Sequence, residues 1–316
     1  MIIEAPINLD LTQSSGQTSQ PPWTQDKNTF KDVVIVDNKP ILFKVLQTGN
    51  NLNFDYELPL NSNFEINNSL LVDKVIEVFD LNFNFDDFYR FLIDDENLAE
   101  TSNFCNGLRL FIAKNKFECI ISSICSANNS IKRWTKSIET IKRKWGTPYK
   151  FPSGTFYSFP EINTIKNVFK DENEEFNFSN DILDINKCNN NLKSCGVGYR
   201  ASYMKKASEI FTLEIDLSDI EKMSYDEAFE TILKVPGVGP KVADCILLYG
   251  YNFKEAFPSD IWIKRIVSYL YFEGKDISVN KVREFGMDQF GDYAGYVQLY
   301  LFHYARMSGL MNKLKK

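Results

Sequence analysis

The stretch LKVPGVGPKVADCILLYG, residues 233–250, decides how the rest of the chain is read. Gly237 and Gly239 flank a valine and permit a tight turn with positive φ, and Pro240 suits the first position of a new helix. Val242, Cys245, Ile246 and Tyr249 recur at helical spacing and form a buried face. The segment is therefore helix, hairpin, helix, spanning 234–249. Such a hairpin turns free backbone N–H groups outward at Gly237, Val238 and Gly239, which suits a phosphate. Lys241 is the odd residue. A cation in the first turn of a helix faces the positive end of the helix dipole. Either it is a solvated surface lysine, or its poor placement is useful. A partly desolvated amine there should have a lowered pKa, which is what a lysine nucleophile needs.

Downstream, AFPSDIWIKRIVSYL (256–270) places Ser259 and Asp260 before a helix whose apolar face is Ile263, Ile266, Val267 and Leu270. Asp260 reads as an N-cap. A capping carboxylate accepts backbone N–H bonds and stays ionised, so it is a poor proton acceptor and a strong partner for a nearby cation. It could stabilise positive charge developing on a departing sugar.

The 316 residues are 44% hydrophobic and 25% charged, enough for one large domain or two modest ones. No run of about 18 apolar residues spans a membrane. The N-terminus, MIIEAPINLDLTQSSGQ, has acids where a secretory signal needs bases, so an intracellular protein is expected. Cys105, Cys119, Cys125, Cys188, Cys195 and Cys245 form no C-x-x-C pair, which argues for reduced thiols and against zinc or an iron–sulfur cluster. The net charge of −6 counts against a nucleic-acid partner at first sight. Bases crowd residues 131–145, however, and recur at Lys193, Arg200, Lys205 and Lys206. A local basic face on an acidic protein can bind phosphates.

Two patterns divide the chain. Residues 30–81 read as strands: DVVIV meets ILFKVLQ through DNKP, LNFDYEL alternates, and DKVIEVF (73–79) closes an antiparallel sheet. From residue 83 the pattern is helical, with faces at Phe117, Ile120, Ile121, Ile124, Cys125 and at Ile131, Trp134, Ile138, Ile141, Trp145. The expected domains are thus a sheet over 1–82 and a helical unit over 83–316. The acidic, Asn-rich segment 171–181 reads as an exposed insertion.

At this point the residues carry a resemblance. LKVPGVGPKVADC followed by FPSD resembles the helix-hairpin-helix, Gly/Pro…Asp superfamily of DNA base-excision glycosylases, and within it the 8-oxoguanine DNA glycosylase/lyases. ICSANNSIKRW (124–134), CGVGYRASY (195–203), GDYAGYVQLYLF (291–302) and SSGQ (14–17) resemble further segments of that family, in the same order. The resemblance implies an α+β architecture: a twisted antiparallel sheet, like half of the TATA-binding fold, attached to a helical glycosylase core. It implies base excision of 8-oxoguanine opposite cytosine in double-stranded DNA, by a monomer needing no cofactor. It leaves room for a structural monovalent cation or calcium at the hairpin. The compartment would be cytoplasm or nucleoid in a bacterium, the nucleus in a eukaryote.

Residue by residue, the resemblance makes Lys241 the nucleophile at C1′ and Asp260 its supporting carboxylate. It assigns Gly16 the carbonyl that accepts from N7–H, which 8-oxoguanine has and guanine lacks. Gln298 would read the Watson–Crick edge, with Phe302 and Cys245 on the two sides of the base. Asn128, Arg133 and Arg200 would contact the orphaned cytosine, and Tyr199 would be the wedge in the stack. The physics agrees: flipping a nucleotide costs a few kcal/mol of stacking, an aromatic wedge returns about 1–3 kcal/mol, and arginine is a rigid fork of donors. Taken singly, Asn128 could be a cap, Tyr199 core, and Arg200 and Gln298 solvated positions.

Three positions depart from the family: Trp262 where a histidine is common, Ala305 where an aspartate is usual, and TSQPPW (18–23) after the Gly16–Gln17 pair. The sole histidine, His303, has no motif support. Two other functions fit the scaffold: an alkylated-purine glycosylase, which would not need Lys241, and a non-catalytic helix-hairpin-helix DNA-binding module, which would need neither Lys241 nor Asp260.

Overall fold

The structure is a computed structural model that describes residues 1–168 and 191–310. The 171–181 segment and Cys188 lie outside the described residues. The chain begins with β1 (Ile2–Glu4), α1 (Leu9–Ser14), β2 (Thr24–Asp26), β3 (Thr29–Val36), β4 (Lys39–Thr48) and β5 (Asn51–Glu57). The strands form one antiparallel sheet in the order β1-β5-β4-β3-β2. The turn at Asp37–Asn38 takes positive φ at both residues, which Asn and Asp tolerate better than most, and sets the register Val36 to Lys39. Val34, Ile41, Phe43, Val45, Leu52 and Phe54 face inward as the alternation requires.

The segment 73–79 is not a strand. It lies in α2 (Asn68–Val78), capped by Asn67 through a bond from the Ser69 N–H. Leu71, Val75 and Val78 are fully buried and pack on the sheet. Their spacing of four and three is the helical period, hidden by the β-branched Val75, Ile76 and Val78, which suit a strand as well. The short strands β1 and β2, and helix α1, carry too few residues to show a period and were not foreseen.

The helical part comprises α3 (Phe85–Asp94), α4 (Ala99–Phe104), α5 (Lys116–Ser126), α6 (Ile131–Trp145), then α7 (Ile162–Val168), α8 (Arg200–Leu213), α9 (Leu217–Ile220), α10 (Tyr225–Leu233), α11 (Pro240–Tyr251), α12 (Ile261–Tyr271), α13 (Val279–Phe290) and α14 (Ala294–Met307). A hairpin of β6 (Pro148–Phe151) and β7 (Gly154–Tyr157) interrupts it, contrary to the expectation of helix throughout. Phe151 packs with Val33 and Leu42 on the outer face of the sheet, so this hairpin covers what would be a bare apolar patch.

Two buried charge networks join sheet and helices. Asp32 on β3 bonds Lys114 at 2.8 Å and Lys142 at 2.6 Å, and Lys114 also bonds Glu118 at 2.9 Å. Asp80 takes bonds from Tyr296 at 2.9 Å and Lys254 at 3.1 Å, while the Arg109 guanidinium donates to the Pro6 and Asp80 carbonyls. Breaking one partner of such a pair leaves an uncompensated buried charge. The networks fix the N-terminal segment, and with it Gly16, against the helices.

Candidate active site

Helix α11 is buried almost all round, with nine of its twelve residues inside. It starts at the hairpin and carries Lys241 and, one turn later, Cys245 on the same face. At Gly237 φ is +84°, and an added Cβ would lie 2.4 Å from the Tyr203 ring. Gly239 is extended in backbone and has open space around it. The Val238 N–H bonds the Val235 carbonyl at 3.0 Å, while the N–H groups of Gly237 and Gly239 have no backbone partner among the described residues. Two glycines thus serve two ends: Gly237 lets the turn close on Tyr203, and Gly239 leaves the outer side open to a ligand. Gly237→Ala is expected to lower stability by about 1–3 kcal/mol through overpacking and backbone strain. Gly239→Ala should melt like the parent and bind double-stranded DNA, the partner the resemblance implies, more weakly. Thermal melts beside a binding titration separate the two, and equal melts for both variants would refute the division.

Asp260 caps α12. Its Oδ1 accepts from the N–H groups of Trp262 at 2.8 Å and Ile263 at 3.0 Å, as the cap reading requires. The carboxylate also acts on the Lys241 ammonium through space, and both line the same cleft, so residues 19 apart in sequence share one site. Helix α14 delivers Gln298, Phe302 and Arg306 on one face, four residues apart. Gln298 is buried, its Nε2 donates to the Pro258 carbonyl at 2.9 Å, and its Oε1 has no partner among the described residues. Gly16 follows α1 with φ +84°. Its turn lies on a bed of buried amides: Gln17 donates to the Arg109 carbonyl at 2.9 Å and accepts from the Phe111 N–H at 2.8 Å, and Thr18 meets Ser123 at 2.8 Å. The unfamiliar TSQPPW stretch thus folds as a pinned segment, with Gln20 bonding the Ile112 carbonyl.

Gly16, Asn128, Lys241, Asp260, Phe302 and Arg306 line one cleft of about 1010 Å³. Cys245 is buried beside Lys241 and, like Gln298, does not itself line the cleft. Burial pushes the Cys245 thiol up. Burial also presses on the Lys241 ammonium, but the Cys245 sulfur, Asp260 and Asp244 more than offset it, and its pKa is raised. The expectation of a depressed lysine pKa is therefore overturned: desolvation is outweighed by Cys245 first, then by Asp260 and Asp244. Asp244 was not foreseen. It is fully buried on α11, and Arg283 clamps it with bonds of 2.7 and 3.1 Å while the Tyr225 hydroxyl donates to it. Its place in KVADC, one turn after Lys241 on a buried helix, was the available signal.

Of the residues expected to contact the opposite strand, Asn128 lines the cleft. Asn128 is in the left-handed region with φ 50°, between α5 and α6. Arg133 is exposed in the first turn of α6, where its N–H takes the Ser130 cap. Tyr199 is 56% exposed, far more than a core aromatic would be. Arg200 is buried, and its fork donates to the carbonyls of Ala127, Asn128 and Val197 at 2.6–3.3 Å. It holds the Asn128 turn instead of presenting free donors. Along α6 the exposed bases are Lys132, Arg133, Lys136, Arg143 and Lys144, whereas Lys142 turns inward to Asp32. Trp262 is half-buried and Ala305 buried at the two departures. His303 is buried, its ring 6.0 Å from that of Phe104.

Comparison with known proteins adds a second line. Residues 121–290 match the family described as HhH-GPD superfamily base excision DNA repair protein, and residues 2–120 match the 8-oxoguanine DNA glycosylase N-terminal domain. A protein of Methanothermobacter thermautotrophicus named "Probable N-glycosylase/DNA lyase" is 43% identical over 310 residues, covering 98% of this chain and 97% of its own. A solved complex of MBOgg1 with a low-affinity DNA ligand superposes with a TM-score of 0.79 at 28% identity, covering 98% of this chain and 96% of that one. The 8-oxoguanine glycosylase/lyase of Clostridium acetobutylicum, solved with double-stranded DNA containing cytosine opposite 8-oxoguanine, gives 0.76 at 29% identity, over 96% and 93% of the two chains.

Proposed function

Because the chain belongs to the HhH-GPD superfamily of base excision DNA repair proteins, we propose that its cleft receives a flipped 8-oxoguanine nucleotide and that Lys241 attacks it. The protein is a DNA glycosylase with lyase activity, acting on 8-oxoguanine in double-stranded DNA. The observation that supports the assignment best is the convergence of Lys241, Asp260, Gly16 and Phe302 on one cleft, from four separate parts of the chain.

The resting lysine is protonated, and this gives the reaction its proton. As the C1′–N9 bond breaks, its electron pair leaves with the purine, which takes a proton ultimately supplied by the Lys241 ammonium. The freed amine forms the Nζ–C1′ bond. Sugar-ring opening gives the Schiff base, and loss of a C2′ proton expels the 3′ phosphate. Asp260, pinned by two backbone bonds, stays in place and stabilises positive charge on the sugar. The unpartnered Gln298 Oε1 accepts from the purine's Watson–Crick edge, and the Gly16 carbonyl accepts from N7–H. Phe302 and Cys245 flank the base, Tyr199 fills the gap left in the stack, Asn128 and Arg133 attend to the cytosine, and Arg200 acts on it through the Asn128 turn that it holds.

The hairpin N–H groups of Gly237 and Gly239 face the DNA backbone. A monovalent cation or calcium would be held by the carbonyls of Gly237 and Val238, which accept no backbone bond among the described residues, and would add positive charge facing a phosphate. No step depends on it. The protein acts as a monomer in the compartment that holds the genome. An 8-oxoguanine:cytosine duplex should lose free base and, with borohydride, become covalently attached to the protein. A gel shift with neither event would instead identify a DNA-binding module, and base release without an adduct would favour the lysine-independent glycosylase.

A further inference from the structure

Arg306 stands in the last turn of α14, half-buried, and lines the cleft. No carboxylate pairs with it among the described residues. Its Nη1 donates to the Ser15 carbonyl at 3.0 Å, and its guanidinium lies 5.2 Å from the centre of the Phe302 ring. Ser15 is the C-cap of α1, so this carbonyl would otherwise lack a helical donor. The next residue is Gly16. One side chain therefore touches both the turn that carries Gly16 and the ring that forms a wall of the cleft.

We propose that Arg306 is a positioning residue that determines lesion specificity, by clamping the Gly16 turn to the Phe302 face of helix α14. This rests on the reading of the cleft as an 8-oxoguanine pocket. Guanine and 8-oxoguanine differ at N7 and C8, so a single acceptor at Gly16 separates them only if its position holds to within about 0.5 Å. From the N-terminal side, the turn is fixed by Gln17 and Thr18. From the α14 side, it is fixed by Arg306. A guanidinium suits the place because it can bond a carbonyl in its plane while its face lies on a ring. A lysine ammonium has no flat face with which to stack on the ring while it bonds the carbonyl. Without the clamp the carbonyl recedes, and the hydrogen bond that marks the lesion weakens.

The clamp acts on the base and not on the sugar, and this makes it testable. A natural abasic site offers Lys241 its C1′ but has no base to be read. Arg306→Ala and Arg306→Lys should be compared with the parent on two duplexes: 8-oxoguanine opposite cytosine for base release under single turnover, and an abasic site opposite cytosine for borohydride trapping. Arg306→Ala is expected to slow base release roughly tenfold relative to abasic-site trapping, the effect of losing about one hydrogen bond. Arg306→Lys should recover part of that loss. A parallel fall on both duplexes would overturn the inference, pointing to a phosphate contact or general damage to the fold. Undiminished base release in Arg306→Ala would also overturn it, while leaving the cleft's function intact. A parent protein inert on the lesion would remove the reading of the cleft itself, and the clamp with it.

Discussion

Lys241→Gln is expected to form no borohydride-trapped adduct and to lose base release by at least about 10⁴-fold, the scale on which removing a nucleophile acts. Glutamine keeps much of the stem of lysine and fits beside Cys245. Removing the cation does not strand a buried carboxylate, because Asp244 keeps its bidentate bond to Arg283 and Asp260 keeps its two backbone donors. The variant should therefore melt close to the parent and still bind the lesion duplex. Asp260→Asn tests the electrostatic half of the same pair. Asparagine caps a helix about as well as aspartate, so stability should hold, while base release falls by roughly 10²–10³ with the charge gone. Single-turnover base release and thermal melts on both variants make the measurement. An adduct of parental yield with Lys241→Gln would remove the nucleophile assignment, and parental rates with Asp260→Asn would reduce that residue to a cap.

Much of this site was legible in sequence because its parts are local. The hairpin is written in Gly237, Gly239 and Pro240, and the cap in the position of Asp260 ahead of an apolar period; each is a short-range rule. The strands β3 to β5 were legible for the same reason, through alternation and a turn. What was missed depends on contacts between distant segments. Lys142 reads as one more base on α6, yet Asp32, 110 residues away, draws it inward. The direction of the Lys241 pKa follows from Asp260 and Cys245 acting together, whereas the helix terminus alone predicts the opposite. Helix α2 reads as a strand because its β-branched Val75, Ile76 and Val78 suit either element until Asn67 is seen as its cap. Arg306 had no signal in sequence, since what distinguishes it is the Ser15 carbonyl 291 residues earlier.

Arg200 raises the same issue for the choice of partner base. Excising 8-oxoguanine is safe only opposite cytosine, because removal opposite adenine would fix a mutation. Cytosine presents two acceptors, O2 and N3, beside one amino donor, and adenine arranges its groups differently. In sequence Arg133 and Arg200 look like equivalent donor forks. In the structure they are not. Arg133 is exposed on the first turn of α6, while Arg200 is committed to three carbonyls, two of them belonging to the Asn128 turn. Asn128 itself sits at φ 50°, a conformation asparagine tolerates and the Arg200 bonds hold. Arg133→Ala should therefore erode the preference for cytosine with little change in melting temperature. Arg200→Ala should erode it and also destabilise the protein, since carbonyls left without a donor cost about 1–3 kcal/mol each where they are buried. The same penalty, incurred when adenine leaves a donor unpaired, gives roughly a tenfold to hundredfold preference per contact. Base release under single turnover with each of the four bases opposite the lesion, beside melts of the three proteins, reads both effects. A parent that treats adenine and cytosine alike, or two arginine variants that keep full selectivity, would take cytosine reading away from these residues while leaving the lysine chemistry untouched. Equal destabilisation by both substitutions would mean that the difference in burial between the two arginines has no energetic consequence.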